Sequence, residues 1–255
     1  MIPTPELDAL ALTRAYRRRR GLHDFSATFS PGLTLIAGPN GAGKSTLLRL
    51  LATTLAPTSG EVRWCGQPVA RHAQAYKGAL GYLPQQFHVY ARWRADEFLT
   101  YMARLKGLPE GHIAAAVARA LWDVRLDTRG AYRVDALSHG EVRCLGLAQA
   151  LLARPRVLLL DEPFAGLDPE ERVGMLALIV AHARSAVVVV ASHLLDGLET
   201  HVGRVLILRE GVCVAETTPA GLIDDAGLDA ATRAAPLEAA YLAFLAQLAA
   251  PLRCL

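Results

Sequence analysis

The stretch GPNGAGKST, residues 38–46, constrains this chain more than any other feature. It follows the short apolar run LTLIAG and precedes a segment with helical spacing, so it joins a strand to a helix. Its glycines allow backbone N–H groups to turn toward one point, where phosphate oxygens can bind. Lys44 adds a positive charge for the terminal phosphates, and Ser45 offers a hydroxyl to Mg²⁺. The stretch therefore predicts a nucleotide phosphate site rather than an ordinary glycine-rich turn.

The apolar residues are spread along the chain and are not gathered in a membrane span. Hydrophobic residues make up 52% of the sequence, yet no apolar run approaches the roughly 18 residues of a membrane helix. The longest candidate, SAVVVVAS at 185–192, fits a buried strand. The first ten residues lack the basic and then apolar pattern of a signal peptide. We therefore expect a cytoplasmic protein.

The net charge and the cysteine spacing argue against a nucleic-acid-binding protein and against a disulfide-bonded one. The net charge of +3 is too small to indicate nucleic acid binding, so no nucleic acid partner is expected. The run Arg17–Arg20 fits either a solvated hairpin turn or a basic patch. The four cysteines form no CxxC pair, and we expect free thiols in a reducing compartment at Cys65, Cys144, Cys213 and Cys254.

Strand-like and helix-like segments alternate along most of the chain. This alternation predicts an α/β fold with a parallel sheet covered on both faces. Residues 88–153 interrupt it with a mainly helical insertion. Short strand pieces are expected within 6–37, and further strands near 79–86, 156–161, 186–191, 203–208 and 212–216. Helices are expected near 45–55, 169–184, 194–201 and from 236 onward.

Polar residues end three of the apolar strands. RVLLLDEP, residues 156–163, places Asp161 where it can hold Mg²⁺ through water and Glu162 where it can orient or deprotonate an attacking water. The alternative is an acidic turn at a strand end. His193 follows the strand VVVVA and is either a structural histidine or a γ-phosphate contact. Gln85 follows GYLP and is able to reach Mg²⁺ or water.

The stretch LSHGE, residues 137–141, predicts a capped helix start. Ser138 can serve as the N-cap, and Glu141 lies three places later, as a capping box requires. A helix start of this kind favours anions. The chain therefore carries a second candidate anion site.

In order and spacing, GPNGAGKST, Gln85, LSHGE, LLLDEP, AGLDP and His193 resemble the ATP-binding subunits of ABC transporters over nearly the whole chain. The resemblance implies a P-loop NTPase (RecA-like) α/β core with an antiparallel β subdomain and an inserted α-helical subdomain. It implies an ATPase domain over 1–217, with its core at 1–87 and 154–217 and a helical subdomain at 88–153. A short C-terminal helical extension would occupy 218–255.

The same resemblance implies a role for each matching residue. ATP would be bound by a stacking aromatic, by the Walker A loop, by the signature motif and by the D-loop aspartate: Tyr16; Gly38, Pro39, Asn40, Gly41, Ala42, Gly43, Lys44, Ser45 and Thr46; Ser138, His139, Gly140 and Glu141; and Asp168. Mg²⁺ would be held by Ser45, Gln85 and Asp161. Catalysis would fall to the glutamate Glu162, the switch histidine His193 and the Q-loop glutamine Gln85.

The resemblance also implies partners. Two copies, or this chain and a paired ATPase subunit, would pack head to tail around two ATP, each laying its signature helix on the other's nucleotide. A separate integral membrane permease would hold the pair at the inner face of the cell membrane. GYLPQQF and PLEAAYLAFL are similar to ABC-2 type exporters, with an importer subunit as the alternative. The permease would dock at Phe87, Val89, Tyr90 and Trp93, unless these side chains pack internally.

The signature motif departs from the usual family pattern at His139. The usual signature is LSGGQ, so His139 replaces a glycine. In a first helical turn its φ would be negative and a side chain tolerated, and an imidazolium there would help to hold phosphate.

Two rival functions are a soluble P-loop kinase and a non-transport ABC ATPase. A soluble P-loop kinase would need an acceptor lid instead of the signature helix. A non-transport, nucleotide-gated ABC ATPase of the chromosome or repair type would carry a long heptad coiled coil, and the sequence shows none.

Overall fold

A computed structural model describes residues 6–16, 19–192, 198, 200–225 and 237–249. In chain order the strands are β1 (Leu7–Tyr16), β2 (Arg19–Phe29), β3 (Gly32–Ala37), β4 (Ser59–Trp64), β5 (Gln67–Pro68), β6 (Leu80–Leu83), β7 (Val157–Asp161), β8 (Val187–Ala191), β9 (Arg204–Arg209) and β10 (Val212–Thr217). The helices are α1 (Lys44–Leu51), α2 (Ala73–Ala79), α3 (Ala95–Leu105), α4 (Glu110–Asp123), α5 (His139–Leu151), α6 (Pro169–Ala183), α7 (Pro219–Asp225) and α8 (Leu237–Ala249).

The described strands form two sheets. The larger has the order β10-β9-β3-β8-β7-β6, in which only the β9–β10 pair is antiparallel. The smaller, β2-β1-β4-β5, is antiparallel throughout. The predicted α/β fold with a parallel core sheet is thus confirmed.

The inner strands β9, β3, β8 and β7 of the larger sheet are buried on both faces, and the alternating side chains of β7 show why. Leu158 and Leu160 of β7 belong to one hydrophobic cluster, which also includes the buried residues of α3 to α6. Val157 and Leu159 of the same strand belong to the other cluster, together with α1 and the antiparallel sheet. Successive side chains in a strand point to opposite faces, so a strand covered on both sides must be apolar at every position.

Two expected elements differ from the structure, and a third lies mostly outside the described residues. The short strand pieces expected within 6–37 are two long strands, β1 and β2, followed by β3. Tyr16 of β1 pairs with Arg19 of β2, and Arg17 and Arg18 lie outside the described residues. Helix α1 ends at Leu51 rather than near 55, because Thr53 adopts a left-handed φ of 57°. Most of the helix expected at 194–201 lies outside the described residues, and α2 and α7 were not expected.

The carboxyl ends of four neighbouring strands lie at one edge of the larger sheet. Ala191 pairs with both Ile36 and Asp161, and Leu83 pairs with Leu160. The segments that follow β3, β6, β7 and β8 therefore start side by side, at the edge where open α/β sheets bind ligands.

The described cysteines Cys65, Cys144 and Cys213 are free, and Cys254 lies outside the described residues. Over the part of the chain that the structure describes, none of the helices is both long and apolar enough to cross a bilayer. Helices α3 to α5 fall between β6 and β7, while the division into subdomains stays a prediction.

Candidate active site

The glycine loop between β3 and α1 depends on backbone conformations that side chains resist. Gly41 has a φ of 81° and Gly43 a φ of 108°, both in the left-handed region. A Cβ at Gly43 would lie 2.6 Å from the carbonyl oxygen of Gly21. The loop therefore lies directly against the neighbouring backbone, and glycine at 43 is a steric requirement.

Lys44 lies at the start of α1 and is only 6% exposed. Its Nζ donates to the carbonyl oxygens of Gly38, at 2.6 Å, and Pro39, at 3.3 Å. Burial lowers the pKa of Lys44, and the negative charges of Glu162 and Asp161 oppose that change. The cation is thus held inside the loop, at the helix end whose free N–H groups also attract anions.

Asp161, the last residue of β7, is 2% exposed. Burial raises the pKa of its carboxyl group, and a hydrogen bond from the Ser45 hydroxyl opposes that rise. Among the described residues its Oδ1 has no hydrogen-bond partner. A buried carboxylate oxygen without a partner, beside a hydroxyl, is a donor set that suits Mg²⁺.

Glu162 follows directly and is 6% exposed. Its φ is 50°, an unusual conformation for a residue with a side chain, and its N–H donates to the carbonyl of Ala191 at 2.8 Å. The turn ends the strand and directs the Glu162 side chain into the same cavity as the glycine loop. Strained backbone of this kind persists where the surrounding structure holds it, often at functional sites.

One cavity of about 380 Å³ brings together most of the predicted nucleotide residues. It is lined by Tyr16, Gly21, Asn40, Gly41, Ala42, Gly43, Lys44, Ser45, Thr46, Gln85 and Glu162. The Tyr16 ring lies over Gly21, where a side chain would collide with it, and the Arg14 guanidinium lies 5.2 Å from the ring centroid. Tyr16 and Gln85 thus lie on the same cavity as the phosphate loop, though they are far apart in sequence.

The signature residues lie outside this cavity. Ser138 caps α5, its Oγ accepting from the N–H of Glu141 at 3.0 Å while the Glu141 carboxylate accepts from the N–H of Ser138 at 2.8 Å. The predicted capping box is confirmed, and so is the position of His139 in the first helical turn. Asp168 caps α6 in the same way with Glu171, so its side chain is engaged at that helix start.

The signature helix and the D-loop touch each other within one subunit. A Cβ at Gly166, whose φ is 78°, would lie 2.6 Å from Cδ2 of His139. A Cβ at Gly140 would collide with the carboxylate of Glu171. Glycine at 140 and 166 therefore permits the close contact between the two segments.

His193 and the four residues of the expected docking surface lie elsewhere in the sequence. His193, the predicted γ-phosphate contact, lies outside the described residues. Phe87, Val89, Tyr90 and Trp93 were expected either to form an exposed docking surface or to pack internally, and of these four Tyr90 is the exposed one, at 77%. The other three are half-buried against the core, and Phe87 packs edge to face on Phe98 at 5.9 Å.

Sequence reasoning missed two residues, Arg143 and Glu171. Arg143 is a buried arginine on α5 that bonds to the segments carrying Gln85 and Glu162. Its signal was a charged residue inside an otherwise apolar helix. Glu171 pairs with Asp168 in a second capping box, which DPEE at 168–171 displays as clearly as LSHGE displays the first.

Comparisons with known proteins agree with this geometry. A family model described as ABC transporter matches residues 22–165. The Nod factor export ATP-binding protein I of Paraburkholderia xenovorans (strain LB400) is 32% identical over 229 residues, 87% of this chain and 74% of that protein. The phosphonates import ATP-binding protein PhnC of Anaeromyxobacter dehalogenans (strain 2CP-C) is 35% identical over 233 residues, 86% of this chain and 47% of that protein.

Solved structures show the same fold. The ATP-binding subunit of an ABC transporter superposes with a TM-score of 0.81 at 25% identity, covering 92% of this chain and 98% of that one. A dimeric ATP-binding cassette bound to ADP and Pi superposes with a TM-score of 0.76 at 20% identity, covering 83% of this chain and 98% of that one.

Proposed function

The chain belongs to the ABC transporter family of ATP-binding proteins, and from this premise we propose that it is the Mg²⁺-dependent ATPase that drives a separate membrane permease. The observation that carries the proposal is the shared cavity. A phosphate loop, an exposed glutamine and a buried glutamate from three separate segments line the same 380 Å³. A nucleotide-binding module without hydrolysis would need only the first of these.

Each residue around the cavity has a role in the proposal. The loop from Gly38 to Thr46 holds the phosphates with its N–H groups and with Lys44, and Tyr16 stacks on the adenine. Ser45, Asp161 and Gln85 hold Mg²⁺, which when bound neutralises charge on the β- and γ-phosphates. The Ser45–Asp161 hydrogen bond already brings two of these ligands together.

Glu162 is the proposed general base. Its side chain faces the cavity from the turn after β7, next to the metal ligand Asp161, where it can accept a proton from the attacking water. The exposed Gln85 orients that water and the metal. His193, which follows β8 in the sequence and lies outside the described residues, is proposed as the γ-phosphate contact.

The signature residues serve a second copy of the chain in this proposal. Ser138, His139 and Gly140 lie away from the cavity lined by Lys44, so their helix start is available to a nucleotide held by a partner. Asp168 lies beside them and completes the same face. Two chains packed head to tail would then enclose two ATP, each between one phosphate loop and one signature.

The permease is proposed to dock on an aromatic surface formed by Tyr90, Trp93 and Tyr101. Trp93 packs edge to face on Tyr101, with ring centroids 5.2 Å apart, and Tyr90 lies 6.0 Å from Trp93. Tyr90 and Tyr101 of this cluster are exposed, and exposed apolar patches mark interaction sites. The relatives named for Nod factor export support export as the direction, while the phosphonates import relative keeps import as the second candidate.

Steady-state hydrolysis of ATP at varied Mg²⁺ tests the proposal. Lys44→Ala should abolish activity because it removes the buried cation of the loop, and Asp161→Asn should raise the Mg²⁺ concentration needed. Lys77→Ala, which removes an exposed lysine of α2, is the control and should behave like the wild type. Near-normal hydrolysis in Lys44→Ala would refute the assignment.

A further inference from the structure

Arg143 is a buried cation that no predicted role explains. It lies on α5, two residues beyond the signature glutamate Glu141, and is 5% exposed. Within the described part of the chain, its guanidinium makes no hydrogen bond to a carboxylate. Burying a guanidinium is costly unless its donors are satisfied, so its contacts identify what it does.

All five N–H donors of the guanidinium are used, and every acceptor is a backbone carbonyl. Nη1 donates to Pro84 at 2.8 Å and to Gln85 at 3.0 Å. Nη2 donates to Asp161 and, at 2.8 Å, to Glu162, while Nε donates to Pro163 at 3.3 Å. One side chain therefore joins the segment that carries Gln85 to the segment that carries Glu162.

The left-handed turn at Glu162 makes this arrangement possible. Carbonyls of an extended strand alternate in direction, so three successive ones cannot reach one group. The φ of 50° at Glu162 brings the carbonyls of Asp161, Glu162 and Pro163 to the same guanidinium. The bonds from Arg143 thus stabilise the strained conformation that directs Glu162 into the cavity.

The sheet and the helix place both segments within reach of α5. Leu83 pairs with Leu160, so the Gln85 and Glu162 segments leave adjacent strands at the same level. Helix α5 packs close to β6, since a Cβ at Gly146 would lie 2.7 Å from Cδ1 of Leu83. A shift of the α5 N-terminus would therefore be transmitted through Arg143 to both segments.

We infer that Arg143 is a positioning residue that links the signature helix to the Q-loop glutamine Gln85 and the catalytic glutamate Glu162. The inference rests on the proposed function, in which the signature binds the partner's nucleotide. Engagement of Ser138 by that nucleotide would bring Glu162 and Gln85 into register for hydrolysis. ATP binding to the loop of the same subunit does not need Arg143.

Arg143→Lys tests the inference, because lysine keeps the charge but has three donors at one point and cannot bond to five carbonyls. We expect the kcat for ATP to fall roughly 10²-fold, because a misplaced catalytic group has that effect. The KM and the affinity for ATP should stay within about twofold of the wild type. Arg119→Lys is the matched control, since Arg119 also donates to a backbone carbonyl, that of Leu152 at 3.0 Å, but far from both segments.

A second background separates positioning from general damage. In protein that carries both Glu162→Gln and Gln85→Ala, the two groups that Arg143 positions are already disabled, so adding Arg143→Lys should lower the residual rate little further. The inference would be overturned if Arg143→Lys lowered the hydrolysis rate by the same factor in both backgrounds, or if Arg143→Lys alone kept the wild-type kcat. Loss of ATP binding in both Arg143→Lys and Arg143→Gln would also overturn it. If wild-type protein hydrolysed ATP no faster than Lys44→Ala protein, the proposed function would be refuted, and the inference with it.

Discussion

Gly140→Ala should change stability in a way that depends on Glu171. Gly140 is the second residue of α5, and a Cβ there collides with the Glu171 carboxylate. That carboxylate accepts from the N–H of Asp168 at 3.1 Å. The flexible end of Glu171 can move away, so the collision is relieved by losing this hydrogen bond and not by shifting backbone.

The magnitude follows from two opposing effects. Alanine in place of a helical glycine stabilises by up to about 1 kcal/mol. Losing the Asp168–Glu171 hydrogen bond destabilises by about 1 kcal/mol. In the wild type the two effects nearly cancel. In Glu171→Ala protein the bond is already absent, so Gly140→Ala should stabilise by about 0.5–1 kcal/mol, which is about 1–4 °C in Tm for a chain of this size.

Thermal and urea unfolding of the four proteins in the cycle measure the effect. The control is Gly111→Ala, because Gly111 is also the second residue of its helix, α4, and a Cβ there meets nothing within 4 Å. It should stabilise equally with and without Glu171. If Gly140→Ala had the same effect in both backgrounds, the Gly140–Glu171 contact would be refuted.

Two other changes give independent checks. Burial raises the pKa of the Cys144 thiol to about 11, so at pH 8 iodoacetamide should leave Cys144 unmodified in folded protein and modify it in urea, as measured by mass spectrometry. The rate of modification in folded protein should rise as the pH increases toward 11. Rapid modification of folded protein at pH 8 would contradict the burial of Cys144. Ser138→Ala removes the N-cap of α5 and should lower the free energy of unfolding by about 1 kcal/mol, whereas Ser138→Asp, which retains a cap, should lose less; equal losses would show that the cap hydrogen bond is not the cause.

The fold could be predicted where one local pattern determines it. The all-apolar runs VLLL and VVVV are buried on both faces of the sheet, as such strands must be. The capping box of α5 involves four consecutive residues and was predicted residue by residue. In both cases the causes lie within a few positions of each other.

The sequence did not predict contacts between distant segments. Arg143 bonds to carbonyls 18 to 20 positions ahead and 58 to 59 positions behind it, and backbone acceptors leave no trace in residue identity. The contact of His139 with Gly166 depends in the same way on how two loops meet. The sequence left open whether Phe87 is exposed or packs internally, because its partner Phe98 lies on a helix whose packing the local pattern does not specify.

The central claim is that two copies of this chain complete each other's ATP sites. Gel filtration with light scattering of Glu162→Gln protein, with ATP and Mg²⁺ and without them, tests it most directly. Removing the proposed base should leave ATP binding intact and slow hydrolysis by roughly 10²–10⁴-fold, so ATP should convert the 27.4 kDa monomer into a stable dimer. Adding Ser138→Arg, which crowds the signature helix start, should abolish that dimer while leaving ATP bound. A Glu162→Gln protein that binds ATP and stays monomeric would contradict the account.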